Sequence, residues 1–362
     1  MRKIVCVTPA LALSIFGMVH SVVVPAHLLA MESSTNSQFS IKRASHGRLA
    51  NVLAPIELPA NFQYPNGIAH ASDGTLYVGS ITSGQILRIN PAGQIETFFP
   101  GSDEVFAATS LRLDEQRGIL WGASPDFLGT RSPNGEVVRR PHRIFAINTR
   151  LGQVLRVILM PDNGFGNDIA LDAEGGVYLT DSARARIYYL APGETQLQIW
   201  AEDERFRAEQ IGIGGVARRA DGVLIVGHYS NGELFRVTPQ PQGQAEVEAI
   251  PLERKLENPD GMQFAPDGSL LVTEAAFGSG KGRLLRIDIF APGTQPKAVE
   301  PLVSGIESPV NLTVKGREVW VTESRIRHRL QPGQEAEIPD RFFIRRFVLP
   351  TEVGDRSQVK GS

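Results

Sequence analysis

Asn66, Asn167 and Asp260 stand at matching points of three stretches that otherwise read alike, and Asn311 falls one step later in a fourth. One carboxylate among amide oxygens, with no thiol in reach, is a donor set for a hard cation such as Ca²⁺, which accepts about 6 to 8 oxygens from carboxylates, amide carbonyls and water. Asn or Asp ahead of a strand can also simply turn its side chain onto the backbone. It is the repetition that favours the metal. A second set closes the same stretches: Ser80, Ala123, Asp181, His228, Glu274 and Glu323. Asp181, Glu274 and Glu323 end Leu-Thr-Asp or Val-Thr-Glu triplets, where they suit turn caps or contacts to a substrate. No histidine occupies the positions equivalent to His228, so the repeat itself does not explain it. An imidazole there either exchanges protons near neutral pH or is a satisfied structural side chain.

The elements that must position these residues are legible as a repeat. Pro65-Asn66-Gly67-Ile68-Ala69-His70 through Leu76-Tyr77-Val78-Gly79-Ser80 returns as Gly166-Asn167-Asp168-Ile169-Ala170-Leu171 through Val177-Tyr178-Leu179-Thr180-Asp181. It recurs around Gly215, Gly261 and Asn311, and in degraded form around Ser110, at intervals of 43 to 58 residues. Each unit is a short apolar strand, a turn such as Ser72-Asp73-Gly74 or Pro266-Asp267-Gly268, and a second alternating strand; a third and a fourth follow. Asp-Gly accepts the positive backbone angles of a tight hairpin. Four strands per unit of this length predict an all-β fold, a six-bladed β-propeller over residues 51–350. A β-sandwich would account for the strands but not for the repeat. The sixth unit lacks a fourth strand, and Val52 to Leu58 is a strand without a unit, so the ring is expected to close by the N-terminal strand pairing into the last blade.

In such a blade the first strand lines the central channel, and the loop entering it shares one end of the ring with the loop leaving strand two. Asn66, Thr109, Asn167, Gly214, Asp260 and Val310, with Asn311 next to the last, then gather at one channel mouth. Two long loops lie on that side, 124–141 and 324–340, and carry Arg131, Arg139, Arg140, Arg325, Arg327, His328 and Arg329. They suggest an anionic small-molecule substrate met by Arg139 and Arg327, with Glu274 and Glu323 as further contacts; exposed basic loops without a partner are the plainer reading.

The composition narrows the rest. A net charge of -2 gives no overall basic field, which argues against a nucleic-acid partner. The single cysteine, Cys6, excludes a disulfide framework and a zinc-thiolate cluster. Arg2 and Lys3 precede an apolar run to about Val24, followed by Pro25 and Ala26, so residues 1–26 read as a signal peptide and 27–50 as a flexible leader. An uncleaved membrane anchor is the alternative. Cleavage makes the chain exported, periplasmic or extracellular, with no thiol and no membrane segment; residues 351–362 form a tail.

The segments Asn167-Asp168-Ile169-Ala170-Leu171-Asp172, Tyr178-Leu179-Thr180-Asp181-Ser182 and Asn258-Pro259-Asp260-Gly261-Met262 resemble the senescence-marker-protein, gluconolactonase and luciferin-regenerating-enzyme family of six-bladed propellers. The likeness spans roughly residues 52–349, and its lactone-hydrolysing members hold a divalent cation, usually calcium, at the channel mouth. It implies that Asn167 and Asp260 are metal ligands and that Asp260 is also the general base. Asn66 stands where the family has an acidic ligand. The expected function is a secreted, calcium-dependent hydrolase of lactones or related esters, the cation polarising the carbonyl while Asp260 or His228 activates water. An aspartate held by a dication is a poor base, which favours His228 or a water polarised by the ion. Neither a Gly-x-Ser-x-Gly elbow nor a mature cysteine offers a nucleophile. A non-catalytic binding propeller and a metal-independent, strictosidine-synthase-like enzyme are the alternatives.

Overall fold

Hairpin chemistry written into the repeat sets the local structure. In Ser72-Asp73-Gly74 the Asp73 carboxylate accepts the Thr75 N–H at 2.8 Å while Gly74 takes φ of 96°. Asp267-Gly268 repeats the device, with Ser269 donating at 2.9 Å and a φ of 84°. A side chain at either glycine would meet backbone strain. A computed structural model describes residues 49–131, 134, 136–241, 245–331 and 339–351. The expected signal peptide, nearly all of the leader, and the tail beyond residue 351 lie outside the described residues.

Six four-stranded antiparallel sheets form the blades of a propeller. Their inner strands are Pro65–His70, Ser110–Asp114, Gly166–Leu171, Ile213–Arg218, Pro259–Phe264 and Pro309–Lys315. These touch one another in cyclic order, the last against the first. In the sixth sheet the outermost strand is Asn51–Glu57, antiparallel to Phe343–Val348 with Val52 opposite Phe347 and Ile56 opposite Ile344. Pro55 sits where that register shifts, between Leu53 and Ile56, a place on an outer strand that tolerates a residue without an N–H. Almost no helix interrupts the sheets; the longer loop of blade six holds one turn, Arg327–Leu330. Among the described residues no helix is long and apolar enough to cross a membrane.

Period-two alternation gives every blade two apolar faces, and each packs against a neighbouring blade. The described core accordingly divides into six clusters, one for each blade interface. Between blades four and five, for example, Ile225 and Leu234 meet Leu270, Val272 and Leu285, all fully buried. Between the last and the first, Ile344 and Trp320 meet Ile68, Val78 and Leu87. Burying such side chains contributes about 1.5 to 3 kcal/mol each, and the pairing of neighbours fixes the ring that brings the six inner strands to one axis.

At the narrow part of that axis the inner strands approach very closely. A Cβ on Gly215 would fall 1.7 Å from the Asp260 carbonyl oxygen, and one on Gly261 would fall 2.6 Å from the Asn311 Cα. Only glycine fits at either place. Where the equivalent residue has a side chain it is bonded: Asp168 accepts from Ser110 Oγ at 2.6 Å, from Arg112 Nη2 at 3.1 Å and from the Val216 N–H at 3.0 Å, joining blades two, three and four. This layer forms the floor of what lies above it.

Candidate functional site

Five of the six inner strands carry an extra residue at the same point. Pro65 pairs with Ser80 but Ile68 with Val78; the same slip separates Gly166 from Ile169, Ile213 from Val216, Pro259 from Met262, and Pro309 from Asn311. Such a β-bulge turns a side chain out of the alternating register. The segments within these slips contain Asn66, Asn167, Gly214, Asp260 and Val310. Strand-two threonines support several of them. Thr322 Oγ1 donates to the Asn66 carbonyl at 2.7 Å, across the junction of blades six and one, and Thr180 Oγ1 donates to the Gly214 carbonyl at 2.5 Å.

Asn66, Thr109, Asn167, Asp260 and Val310 line one cavity of about 480 Å³, counting the space open to solvent. The structure therefore brings together three of the four residues expected to hold a cation. Asn311 is the exception, because it lies one residue below the lining. Its Nδ2 donates to the Thr109 carbonyl at 3.3 Å and its Oδ1 accepts the Leu312 N–H at 2.9 Å, so Val310 faces the cavity in that blade. Asn167 is oriented by a relay in which its Nδ2 donates to Ser182 Oγ at 2.9 Å and Ser182 donates to the Ile213 carbonyl at 2.8 Å. With one N–H committed to Ser182, the side chain has a fixed orientation and its amide oxygen can accept from or coordinate a ligand.

Asp260 is enclosed by protein and reached by solvent through the cavity. Burial, and then the negative charge of Asp168, push its carboxyl well above the ordinary carboxylate range, and among the described residues no hydrogen bond offsets either. Tyr229, beside it in the lining, is pushed up by burial and then by Asp260. A half-buried carboxyl without a hydrogen-bond partner among the described residues, sharing a cavity lining with two asparagines and a threonine, has the chemistry of a hard-cation site. Among the described residues no three His, Cys, Asp or Glu side chains converge anywhere, so a cation would depend on amide oxygens, this carboxylate and water.

The second set has a different place. Asp181 accepts the Phe165 N–H at 2.8 Å, Glu274 the Glu257 N–H at 2.7 Å and Glu323 the Glu307 N–H at 3.0 Å; each thereby pins the loop that enters strand one of its own blade. Glu274 also receives Arg254 and Arg283 at 2.6 and 2.7 Å, and Glu323 receives Arg345 at 3.4 Å. His228 belongs with them. It is fully buried, its Nδ1 accepts the Asn231 N–H at 3.2 Å and its Nε2 donates to the Arg207 carbonyl at 3.0 Å, which leaves no ring nitrogen for water in the cavity. None of Glu274, Glu323 and His228 lines the pocket. Nor do Arg139 and Arg327. The first donates to the Asp126 and Phe127 carbonyls, the second to the Phe277 and Gly278 carbonyls at 2.7 and 3.2 Å.

The walls were not anticipated. Phe127, Phe165, Phe277 and Tyr229 stand around the mouth with Ile81, Ile211 and Ile326. A signal existed: Ile81, Pro125 and Tyr229 directly follow the second-strand ends at Ser80, Ser124 and His228. All seven described non-glycine residues with positive φ also lie in loops at this end, including Tyr64, Asn258 and Ser308, each just ahead of a proline that opens an inner strand. Backbone strain of this kind gathers where function constrains the chain.

No family model matches the sequence, and no curated protein matches it. Solved structures do. A gluconolactonase from Xanthomonas campestris is 15% identical with a TM-score of 0.58, over 85% of this chain and 93% of that one. A virginiamycin B lyase from Staphylococcus aureus is 15% identical with a TM-score of 0.53, over 82% and 99%. The PQQ-bound aldose sugar dehydrogenase from Streptomyces coelicolor is 15% identical with a TM-score of 0.54, over 83% and 98%. At that identity the likenesses show the fold, a six-bladed propeller of the kind that the gluconolactonase-like motifs imply.

Proposed function

We propose that this chain is an exported, divalent-cation-assisted hydrolase of lactones or related esters, with Ca²⁺ as the cation. The observation that carries the reading is Asp260, a desolvated carboxyl that shares one pocket at the channel mouth with Asn66, Asn167 and Thr109. Asn66, Asn167 and Asp260 would hold the cation through oxygen, and when bound it supplies a Lewis acid that polarises the acyl carbonyl.

The chain's own part is proton handling and positioning. Asp260 and Tyr229 are the ionisable side chains of the lining, and with His228 occupied elsewhere Asp260 is the base in reach of a pocket water. A neighbouring dication depresses a carboxyl pKa, whereas burial and Asp168 raise it. The two effects oppose each other at Asp260. In the reaction, the water oxygen forms a bond to the acyl carbon as Asp260 takes the water proton. The acyl C–O bond then breaks, and that proton passes to the departing alkoxide, which restores the carboxylate. Asn167, fixed by Ser182, would present its amide oxygen to the cation.

A panel of lactones and aryl esters, assayed with and without EDTA, tests this. Activity that EDTA abolishes, Ca²⁺ restores and Asp260→Asn lowers by at least about a thousandfold supports it. Hydrolysis indifferent to EDTA would remove the cation, and indifference to Asp260→Asn would remove the proposal.

A further inference from the structure

The hydrolase reading leaves the substrate open, and the basic mouth loops suggest an anion. The geometry of the walls points elsewhere. The polar side chains of the lining are Asn66, Thr109, Asn167, Asp260 and Tyr229, of which the hydrolase reading commits the two asparagines and Asp260. Most of the remaining lining is apolar side chains, Phe127, Phe165 and Phe277 with Ile81, Ile211 and Ile326. Phe165 meets Phe127 edge-on at 6.1 Å and is itself braced by His142 at 4.7 Å.

Two arginines of the long loops serve this collar. Arg139 bonds the carbonyl of Phe127 and Arg327 bonds the carbonyl of Phe277, so each guanidinium fixes the backbone that carries a wall ring. Arg140 pairs with Asp126 at 3.5 Å and lies 3.6 Å over the Phe106 ring; Arg325 pairs with Glu307 at 3.1 Å. These cations are engaged with the protein. They are positioning residues.

Resting on the hydrolase reading, we propose that the site selects neutral lactones or esters bearing an alkyl or aryl substituent and rejects polyhydroxylated sugar lactones. A sugar lactone would place several hydroxyls against phenylalanine and isoleucine, where each gives up its hydrogen bonds to water without replacement. An alkyl chain there is removed from water instead.

The test pairs turnover with binding. Steady-state hydrolysis is measured for γ-lactones with side chains from methyl to heptyl and for glucono-δ-lactone. Binding of two non-hydrolysable probes, 2-heptylcyclopentanone and gluconolactam, is measured by calorimetry. The expected result is a kcat/KM that rises roughly fourfold per added methylene until the collar is filled, with the ketone binding and the lactam not. Phe127→Ala and Phe277→Ala should flatten the chain-length dependence mainly through KM, with Phe277→Leu restoring part of it. A flat or falling dependence, or tighter binding of the lactam, overturns the inference. If no lactone is hydrolysed but the ketone binds in a manner that needs Phe127 and Phe277, the hydrolase reading fails and the apolar selectivity stands. Turnover confined to gluconolactone does the reverse, and a protein that binds neither probe overturns the selectivity as well.

Discussion

Replacing Arg112 with leucine removes one of two charges from the floor beneath the pocket. The Arg112 side chain is 12% exposed and that of Asp168 is 3%. Such a pair is shielded from water on nearly all sides, and breaking one by deleting a partner costs about 3 to 5 kcal/mol because the other charge stays buried. Here Asp168 keeps the Ser110 hydroxyl and the N–H groups of Ile169 and Val216 at 2.6, 2.9 and 3.0 Å. Three surviving donors put the expected loss at the lower end, about 3 kcal/mol. Equilibrium unfolding in urea should show this as a lower midpoint with an unchanged slope. In Arg112→Leu/Asp168→Asn the stranded charge is gone, and the double variant should be more stable than the summed single losses by at least about 1 kcal/mol. Asp168→Asn carries a functional signature too. The Asp168 charge raises the Asp260 pKa, so its removal should move the acidic limb of the activity profile to lower pH. A loss under about 0.5 kcal/mol in Arg112→Leu, or strict additivity in the double variant, would show that this pair does not hold the floor.

Three further outcomes follow from the geometry. His228→Gln should keep kcat/KM within about threefold of wild type, since His228 bonds backbone rather than the pocket; a loss beyond about a hundredfold in the same lactone assay would return it to the chemistry. Glu274 is pushed up by burial, but the hydrogen bonds of Arg254, the Glu257 N–H and Arg283 outweigh that and hold it below its ordinary value of 4.5. Its contribution is therefore complete above that pH and is lost as pH falls toward the lower folded value, so Glu274→Gln should cost about 2 kcal/mol at pH 7 and much less in acid, read by urea midpoints across pH 3 to 7. Thr322→Val should destabilise by about 1 to 3 kcal/mol and weaken activity, because the hydroxyl supports the Asn66 bulge from the neighbouring blade; unchanged melting and turnover would discard that role.

Much of the fold was legible because each hairpin announces itself locally. Asp73-Gly74, Asp221-Gly222 and Asp267-Gly268 specify turns, alternation specifies faces, and the spacing of the units specifies a ring. The gathering of Asn66, Asn167 and Asp260 followed from counting strands. The register of Asn311 did not, because the extra residue in its strand pairs Pro309 with Glu323 and Asn311 with Thr322, which leaves Val310 at the mouth. His228, Glu274 and Glu323 end strands on the same side of the ring as the pocket residues, but each side chain turns to the loop of its own blade. Sequence position places such a residue at an end of the ring without saying which way it faces. Arg139 and Arg327 misled for a related reason: a sequence shows a charge, whereas its carbonyl partners are set by loop conformation. The aromatic walls depend on those same loops.

The most direct test of the site is a calorimetric titration of Ca²⁺ into the full chain and into Asp260→Asn at neutral pH. The account predicts one saturable site per chain in the wild type, lost in the variant because the cation would depend on the Asp260 carboxylate. No binding at millimolar Ca²⁺, or binding that survives Asp260→Asn unchanged, would contradict it.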